Sequence, residues 1–590
     1  MIRLADFVMQ FLVSRGVEDV FLLPGGGAMH LNDALGRCSA LRHYSFLHEQ
    51  ALAIAAEAYG QHRNFPGVAL VTSGPGSTNA ITAVAAAYID STPMLILSGQ
   101  AKRQDLKAGT GLRQKGSQEV DIVSMVSSIS KYAVCVLEPE SILYHLQRAW
   151  HEANSGRKGP VWLDIPLDVQ GAIIEQSKLS GFVPEKAVYA EIPLSRVGGL
   201  LRDSRRPLLL VGNGCNLAGC AERLAAWARN NHVPMLLTWK SADLLDYNDP
   251  LYFGFPGIMG SRYANFIVQS ADLLLVVGSR LDPSITAFNS EDFARNAKKI
   301  MVDIDEAEIR KIKGIDLPVT CPAEDFVAAL ESLPALAERP DWLRHCRRLK
   351  AKYPVFKQPP QDLSARVDLY YFTDELFRQL DKHDIIVPES SGAAGEVSYQ
   401  GMRLKKGQRV KNAAGLGSMG FGLPYAIGAC LALRGRRTVL INGDGAFQMN
   451  VQELETLRRL KLPVKIFIWD NGGYGSIVNT QKNMFEGFKV GSDPESGLTL
   501  PDVCRQAQAY GIRHLRLCDN ASLPAKIAET LCGDDPVLCQ VLVDPLHITQ
   551  PKVQAMRLPD GSMRSKALED MFPYLPEEEL RQAQWRENQP

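Results

Sequence analysis

Short apolar runs that end at glycine or small polar residues recur along this chain, and stretches with helical spacing lie between them. Val20 to Leu23 runs into Pro24-Gly25-Gly26-Gly27, and Val68 to Val71 runs into Thr72-Ser73-Gly74-Pro75-Gly76-Ser77-Thr78-Asn79. Tyr44 to Leu47 reads as another strand; Met94 to Leu97 ends at Ser98-Gly99-Gln100, and Val161 to Ile165 ends at Pro166. A second series follows. Pro207 to Val211 leads into Gly212-Asn213-Gly214, Val233 to Leu237 ends at Thr238, Leu273 to Val277 ends at Gly278-Ser279-Arg280, and Ile300 to Ile304 carries Asp303. A third begins with Ile385 to Val387, followed by Glu389-Ser390-Ser391-Gly392, and closes with Val537 to Val543. Runs that are apolar throughout suit strands covered on both faces, and strands separated by helices predict doubly wound parallel sheets, an α/β class. The pattern lapses over residues 171–193 and over Leu333 to Asp368, which is rich in proline and charge and reads as a linker. The expected division is 1–175, 190–335 and 365–545, with a tail at 546–590 that ends in a polar helix over Glu577 to Asn588.

The densest chemistry lies in the third series. Arg436 to Asn442 reads as a strand ending at Gly443-Asp444-Gly445, Gln448 to Leu460 as a helix, and Leu462 to Trp469 as a strand ending at Asp470-Asn471-Gly472-Gly473. A right-handed crossover brings the two strand ends to one edge of the sheet. A carboxylate, an amide oxygen and a backbone carbonyl are the hard ligands Mg²⁺ takes, usually beside phosphate oxygens. The adjoining helix N-terminus offers N–H groups to a diphosphate. An ordinary strand-turn-helix with a polar cap uses the same residues, and Gly-Asp-Gly alone does not separate the two; the Asn-Gly-Gly after the next strand does.

Glu49 opens a helix of small residues. A first-turn glutamate complements the helix dipole, but Ala51, Ala53, Ala55 and Ala56 form a surface for close packing, which would shield the carboxyl from water. The segment Ala101 to Asp121 is polar and glycine-rich, as a surface loop is.

Composition narrows the setting. At 590 residues the chain needs several domains. Lys+Arg and Asp+Glu balance at 65 each, which gives no basic field for nucleic acid or an anionic membrane. Eleven scattered cysteines without a Cys-x-x-Cys pair suit a reducing compartment, and no signal core or membrane-length apolar run is present. The expected location is cytoplasmic.

With these motifs the chain resembles the thiamine diphosphate (ThDP) enzymes, and along its length the acetohydroxyacid (acetolactate) synthase branch. The resemblance implies a pyrimidine-binding first domain, a central FAD-type domain and a third domain for diphosphate and Mg²⁺. Asp444, Asn471 and the carbonyl of Gly473 would hold Mg²⁺, while Gly26, Gly392, Ala394, Gly395, Gly445, Ala446 and Tyr474 would border ThDP. Glu49 would serve the aminopyrimidine, Gly417 would accept from its amino group, Met419 would wedge between the cofactor rings, and Gln118 would enter the active site. FAD would lie against Gly212, Gly214, Thr238, Gly257, Gly278, Arg280, Asp303 and Ile304, with Arg157 near its diphosphate.

Three positions depart from the family pattern: Ser117 where an aromatic residue is usual, Ser284 in place of an arginine, and Thr480 where enzymes preferring 2-ketobutyrate carry tryptophan. The implied activity is decarboxylation of pyruvate and transfer of the acetaldehyde (hydroxyethyl) unit to a second carbonyl, in a homodimer or homotetramer. Transfer to a bulkier ketone such as a keto-sugar nucleotide, a pyruvate oxidase or decarboxylase, and a non-catalytic homologue remain alternatives.

Overall fold

In the computed structural model, which describes residues 1–185 and 187–585, the apolar runs assemble into three parallel sheets. The first holds β1 (Asp19–Leu22), β2 (Arg42–Ser45), β3 (Gly67–Val71), β4 (Met94–Gln100), β5 (Tyr132–Cys135) and β6 (Pro160–Pro166), in the order β2-β1-β3-β4-β6-β5. The second holds β7 (Pro207–Val211), β8 (Met235–Leu237), β9 (Leu273–Val277), β10 (Lys298–Asp303) and β11 (Leu317–Thr320), ordered β8-β7-β9-β10-β11. The third comprises β12 (Ile385–Pro388), β13 (Arg409–Val410), β14 (Thr438–Gly443), β15 (Val464–Asp470), β16 (Arg513–Leu517) and β17 (Val537–Leu542), ordered β13-β12-β14-β15-β17-β16. The first and third sheets thus repeat one topology. In each sheet the strand order reverses between the first and third strands, where a crevice for ligands opens beyond the carboxyl ends.

Four strands that no apolar run announces, β5, β11, β13 and β16, all lie at sheet edges. Edge strands keep polar and half-exposed positions, as Arg513-His514-Leu515-Arg516 does in β16, so they lack the continuous apolar signature. The helix expected over Gln448–Leu460 is broken. A short helix, Asp444–Phe447, precedes a 3₁₀ turn over Gln448–Asn450, and regular helix resumes at Glu453–Leu460. The side chain of Asn450 is committed at that turn, donating to the carbonyl of Gly420 (2.8 Å) and to Gln50 Oε1 (3.2 Å). The supposed linker Leu333–Asp368 contains the helix Pro340–Lys352, whose Trp342, Leu343, Cys346 and Leu349 are buried at helical spacing.

The first and third domains meet through the helices Glu49–Arg63 and Gly422–Ala432. The backbone of Ala55 occupies the place where a Cβ on Gly428 would stand, so the alanine-rich surface is a close helix contact. Glu57 is buried here. Gln61 Nε2 donates to its Oε1 (3.0 Å), while burial, and then the charge of Asp90, push its carboxyl up to about 8. The folded state therefore retains a proton that the unfolded chain releases, and stability present below pH 4.5 is lost as pH rises through about 8. Glu57→Gln is expected to remove that loss, on the order of 3–5 kcal/mol. Thermal melts at pH 5 and pH 8.5 check this: the variant should gain on the wild type only at the higher pH.

The tail lies on the central domain. Asn265 Nδ2 donates to the Leu568 carbonyl (2.9 Å), Arg262 Nη2 donates to that of Pro573 (2.6 Å), and Trp585 packs edge-on against Trp342. Its terminal helix spans Glu577–Ala583; residues 586–588 of the expected helix lie outside the described residues. No described helix is long and apolar enough to cross a membrane.

Candidate active site

At the carboxyl edge of the third sheet, the turns after β12, β14 and β15 converge. Asp444 is buried at the head of its short helix; its Oδ1 accepts from the N–H of Gly445 (2.9 Å). Its Oδ2 reaches the turn after β15, accepting from the N–H groups of Gly472 (2.8 Å) and Gly473 (3.2 Å). Asn471 Oδ1 accepts from Gly473 N–H (3.2 Å), so the side chains of Asp444 and Asn471 meet at one peptide. Burial, and then the neighbouring Asp470, push the Asp444 carboxyl up to about 8. A cation beside Asp444 would offset that cost of ionisation. Among the described residues no cluster of three or more His, Cys, Asp or Glu side chains could hold a metal by itself. A cation at Asp444 therefore needs oxygens from elsewhere, which a diphosphate supplies.

Gly445 and Tyr474 are in contact. A Cβ on Gly445 would lie 2.5 Å from the Tyr474 ring, so only glycine lets these two turns close on each other. Ala446 follows in the same buried helical turn. Gly392, at φ 70°, opens the helix Gly392–Gly401 opposite Ser476, and Ala394 and Gly395 continue it. Gly417, at φ 65°, places the 413–420 loop near the carbonyl of Ser390, with Met419 half-buried two residues on. All these positions gather around one sheet edge.

The edge of the first sheet carries the complementary set. His48 caps the helix Glu49–Arg63, and Glu49 is only 8% exposed, its Oε2 accepting from Asn79 Nδ2 (3.0 Å). The turn is seated on the third domain, with Leu47 N–H donating to Glu453 Oε1 (3.2 Å). Gly26 is exposed in the turn after β1, while Gly25 and Gly27 lean on Thr72 and Ser73. Gly74 packs against Gln118. The segment Gly74–Asn79 thus joins Gln118 to Glu49.

A cavity of about 790 Å³ opens beside the carboxyl edge of the central sheet. Gly214, Thr238, Gly278, Arg280, Asp303, Ile304 and Arg157 all line it. Gly212 and Gly257 do not, but they shape its wall: Gly212 crosses the Gly278 carbonyl and Gly257 rests on that of Ser284. Burial raises the Asp303 carboxyl. Arg157 stands at the rim with its guanidinium shared between Asp305 (2.9 Å) and Glu308 (2.7 Å), so an anion there must compete with two acids. Arg280 donates to the carbonyl of Ile89 (3.2 Å).

Family models match all three domains: the thiamine pyrophosphate enzyme N-terminal TPP binding domain over residues 2–125, the central domain over 194–330 and the C-terminal TPP binding domain over 391–541. The chain belongs to the thiamine pyrophosphate enzymes. Within that family it is similar to acetolactate synthase 1, chloroplastic, of Zea mays, at 33% identity over 560 residues, covering 91% of this chain and 85% of that protein. It is similar also to the acetolactate synthase isozyme 2 large subunit of Escherichia coli (32% identity; 96% and 99% covered) and to the probable acetolactate synthase large subunit of Methanocaldococcus jannaschii (31%; 92% and 92%). Read as a ThDP enzyme, the chain shows two further residues at the site. Asn79 holds the Glu49 carboxylate. Glu389 is buried at the end of β12, where it accepts from the N–H groups of Ser390 and Gly422 (both 2.9 Å) and ties two cofactor-side loops together. Both are polar residues shortly after a strand, Glu389 directly and Asn79 at the end of the short helix Pro75–Asn79, the only signal the sequence offers for them.

Proposed function

We propose that this ThDP enzyme is an acetolactate synthase-like carboligase, which decarboxylates pyruvate and joins the remaining two-carbon unit to a second carbonyl, in the first instance another pyruvate. Likeness over at least 91% of the chain to acetolactate synthases from a plant, a bacterium and an archaeon carries this reading. Bound ThDP would supply the carbon nucleophile for the ketone and the sink for the electron pair that loss of CO₂ leaves behind. Asp444, Asn471 and the Gly473 carbonyl would hold Mg²⁺, Gly392, Ala394, Gly395, Gly445, Ala446 and Tyr474 would border the diphosphate, and Gly26, on the first-domain edge with Glu49, would border the rest of ThDP. Glu49 would pair through a shared proton with the aminopyrimidine nitrogen, the Gly417 carbonyl would accept from its amino group, and Met419 would pack between the rings. Gln118 reaches the bound pyruvate.

The central cavity fits FAD in size and in its approach of backbone and cations. Gly214→Val would place carbon on Gly278, since even a Cβ there lies 2.7 Å from the Gly278 Cα. It is expected to abolish the flavin absorbance that the wild-type protein takes up from added FAD, while ThDP uptake persists. Absorbance of the dialysed variant, beside calorimetry with ThDP and Mg²⁺, checks this.

Leu47, Leu416 and Met449, which adjoin Glu49 and the 413–420 loop, are 52%, 37% and 44% exposed. Apolar groups at the rims of both half-sites favour a homodimer in which Glu49 of one protomer serves the Asp444 site of its partner.

A second reading for the acceptor rests on Ser117 and Thr480, both small and exposed. They leave room for a bulkier ketone, such as a keto-sugar nucleotide. Product analysis with isotopically labelled pyruvate, alone and with candidate ketones, decides between acceptors.

A further inference from the structure

Between β4 and the short helix Ile122–Val126 runs a loop, residues 101–121, whose only regular element is the turn Arg103–Asp105. A segment this long, polar and rich in glycine is mobile unless something fastens it. Gln100, the last residue of β4, fastens both ends: its Oε1 accepts from Ala101 N–H (2.9 Å) and its Nε2 donates to the Val120 carbonyl (2.8 Å). Asp164 Oδ2 in β6 orients that amide, accepting from the same Nε2 (2.9 Å). The middle of the loop is fastened by Glu119. Only 4% exposed, its carboxylate accepts from the backbone N–H groups of Lys107 (2.6 Å), Lys115 (2.9 Å) and Gly116 (3.4 Å). Burial works against ionisation there, but the three donors, Lys107 foremost, outweigh it and hold the carboxyl below its usual range.

Gln118 lies immediately before Glu119, in a conformation it would not choose. Its φ is 54°, in the left-handed region, and its backbone is pressed on Gly74, where a Cβ would stand 2.5 Å from the Gln118 carbonyl oxygen. A strained non-glycine residue persists where its surroundings over-determine it, and such residues gather at functional sites. Gly74 leads through the helix Pro75–Asn79 to Asn79, which holds Glu49.

We propose that Glu119 is a positioning residue for the reaction: by gathering three N–H groups of its own loop it holds Gln118 in the left-handed conformation on Gly74, at the head of the segment whose Asn79 holds Glu49. This rests on the placement of Gln118 against bound pyruvate. A carboxylate suits the task because both its oxygens accept; a glutamine would turn an N–H₂ toward N–H donors.

The test uses the full chain loaded with ThDP and Mg²⁺, as Glu119→Gln, Glu119→Asp, Gln118→Ala and the double variant Glu119→Gln/Gln118→Ala. Gln118→Ala and Glu119→Gln are each expected to lower kcat/KM for pyruvate about tenfold to a hundredfold, with ThDP affinity unchanged. The double variant should fall no further than Gln118→Ala alone, because Glu119 acts through Gln118. Glu119→Asp, which keeps both oxygens, should recover part of the loss. Trypsin cleavage after Lys107, Arg113 or Lys115 should quicken in Glu119→Gln, a readout independent of turnover. Multiplying losses in the double variant, wild-type kinetics in Glu119→Gln, or unchanged cleavage would each overturn the inference. Wild-type kinetics in Gln118→Ala would instead overturn the placement of Gln118 on which it rests.

Discussion

Glu49→Gln is expected to slow CO₂ release from pyruvate by about 10²–10⁴-fold, the range for a lost proton-transfer group, while ThDP still binds. The substitution changes little else. The amide keeps the length of the side chain, and its oxygen can still accept the bond from Asn79 that holds the carboxylate now at 3.0 Å. What disappears is a group able to hold a proton against the aminopyrimidine. Because the Glu49–Arg63 helix lies against the helix Gly422–Ala432, truncation to alanine would disturb packing as well as chemistry, so the isosteric change is the cleaner one. Rate of CO₂ release and calorimetric ThDP affinity, measured on one preparation, separate the two effects; an active Glu49→Gln enzyme would remove Glu49 from its assigned role.

Asp444→Ala should act in the opposite way, through the cofactor. The wild-type protein is expected to gain thermal stability with Mg²⁺ and ThDP, by about 2.7 kcal/mol at a hundredfold excess over Kd. The alanine variant should show no such gain, and its ThDP affinity should fall more than about a hundredfold, since one side chain links the turn after β14 to that after β15. Mixing the two inactive variants provides a further check. If Glu49 and Asp444 act across a protomer boundary, hybrid dimers contain one intact site, and activity should reappear when Glu49→Gln and Asp444→Ala chains are unfolded together and refolded. Mixtures that stay inactive while separately refolded wild-type chains recover would place both residues in one protomer.

The central strands of each sheet were legible because they are buried on both faces and read as unbroken apolar runs; Pro207–Val211 and Leu273–Val277 begin and end where the sequence says. The edge strands β5, β11, β13 and β16 escaped notice because they keep polar or half-exposed positions. The helix Pro340–Lys352 was hidden by charge: five arginines and lysines among thirteen residues mask four buried apolar positions. At the site, residues carried on strand ends were foreseeable, since a crossover fixes where strand ends go; Asp444 and Asn471 are such a pair. Partners recruited from distant turns were not. Nothing in the order of residues places Asn79 on Glu49, or Glu119 beneath three N–H groups of its own loop; those follow only from how the chain folds back. The guanidinium of Arg157 shows the converse. Its position at the cavity followed from the resemblance, but its two acidic partners did not.

The most direct measurement supplies the purified protein with ¹³C-labelled pyruvate, ThDP, Mg²⁺ and FAD, and follows carbon by NMR while CO₂ is collected. A carboligase with pyruvate as acceptor releases one CO₂ for every two pyruvates consumed, and the label appears in acetolactate with a new carbon–carbon bond. One CO₂ for every pyruvate, with the label in acetaldehyde or acetate, would contradict it.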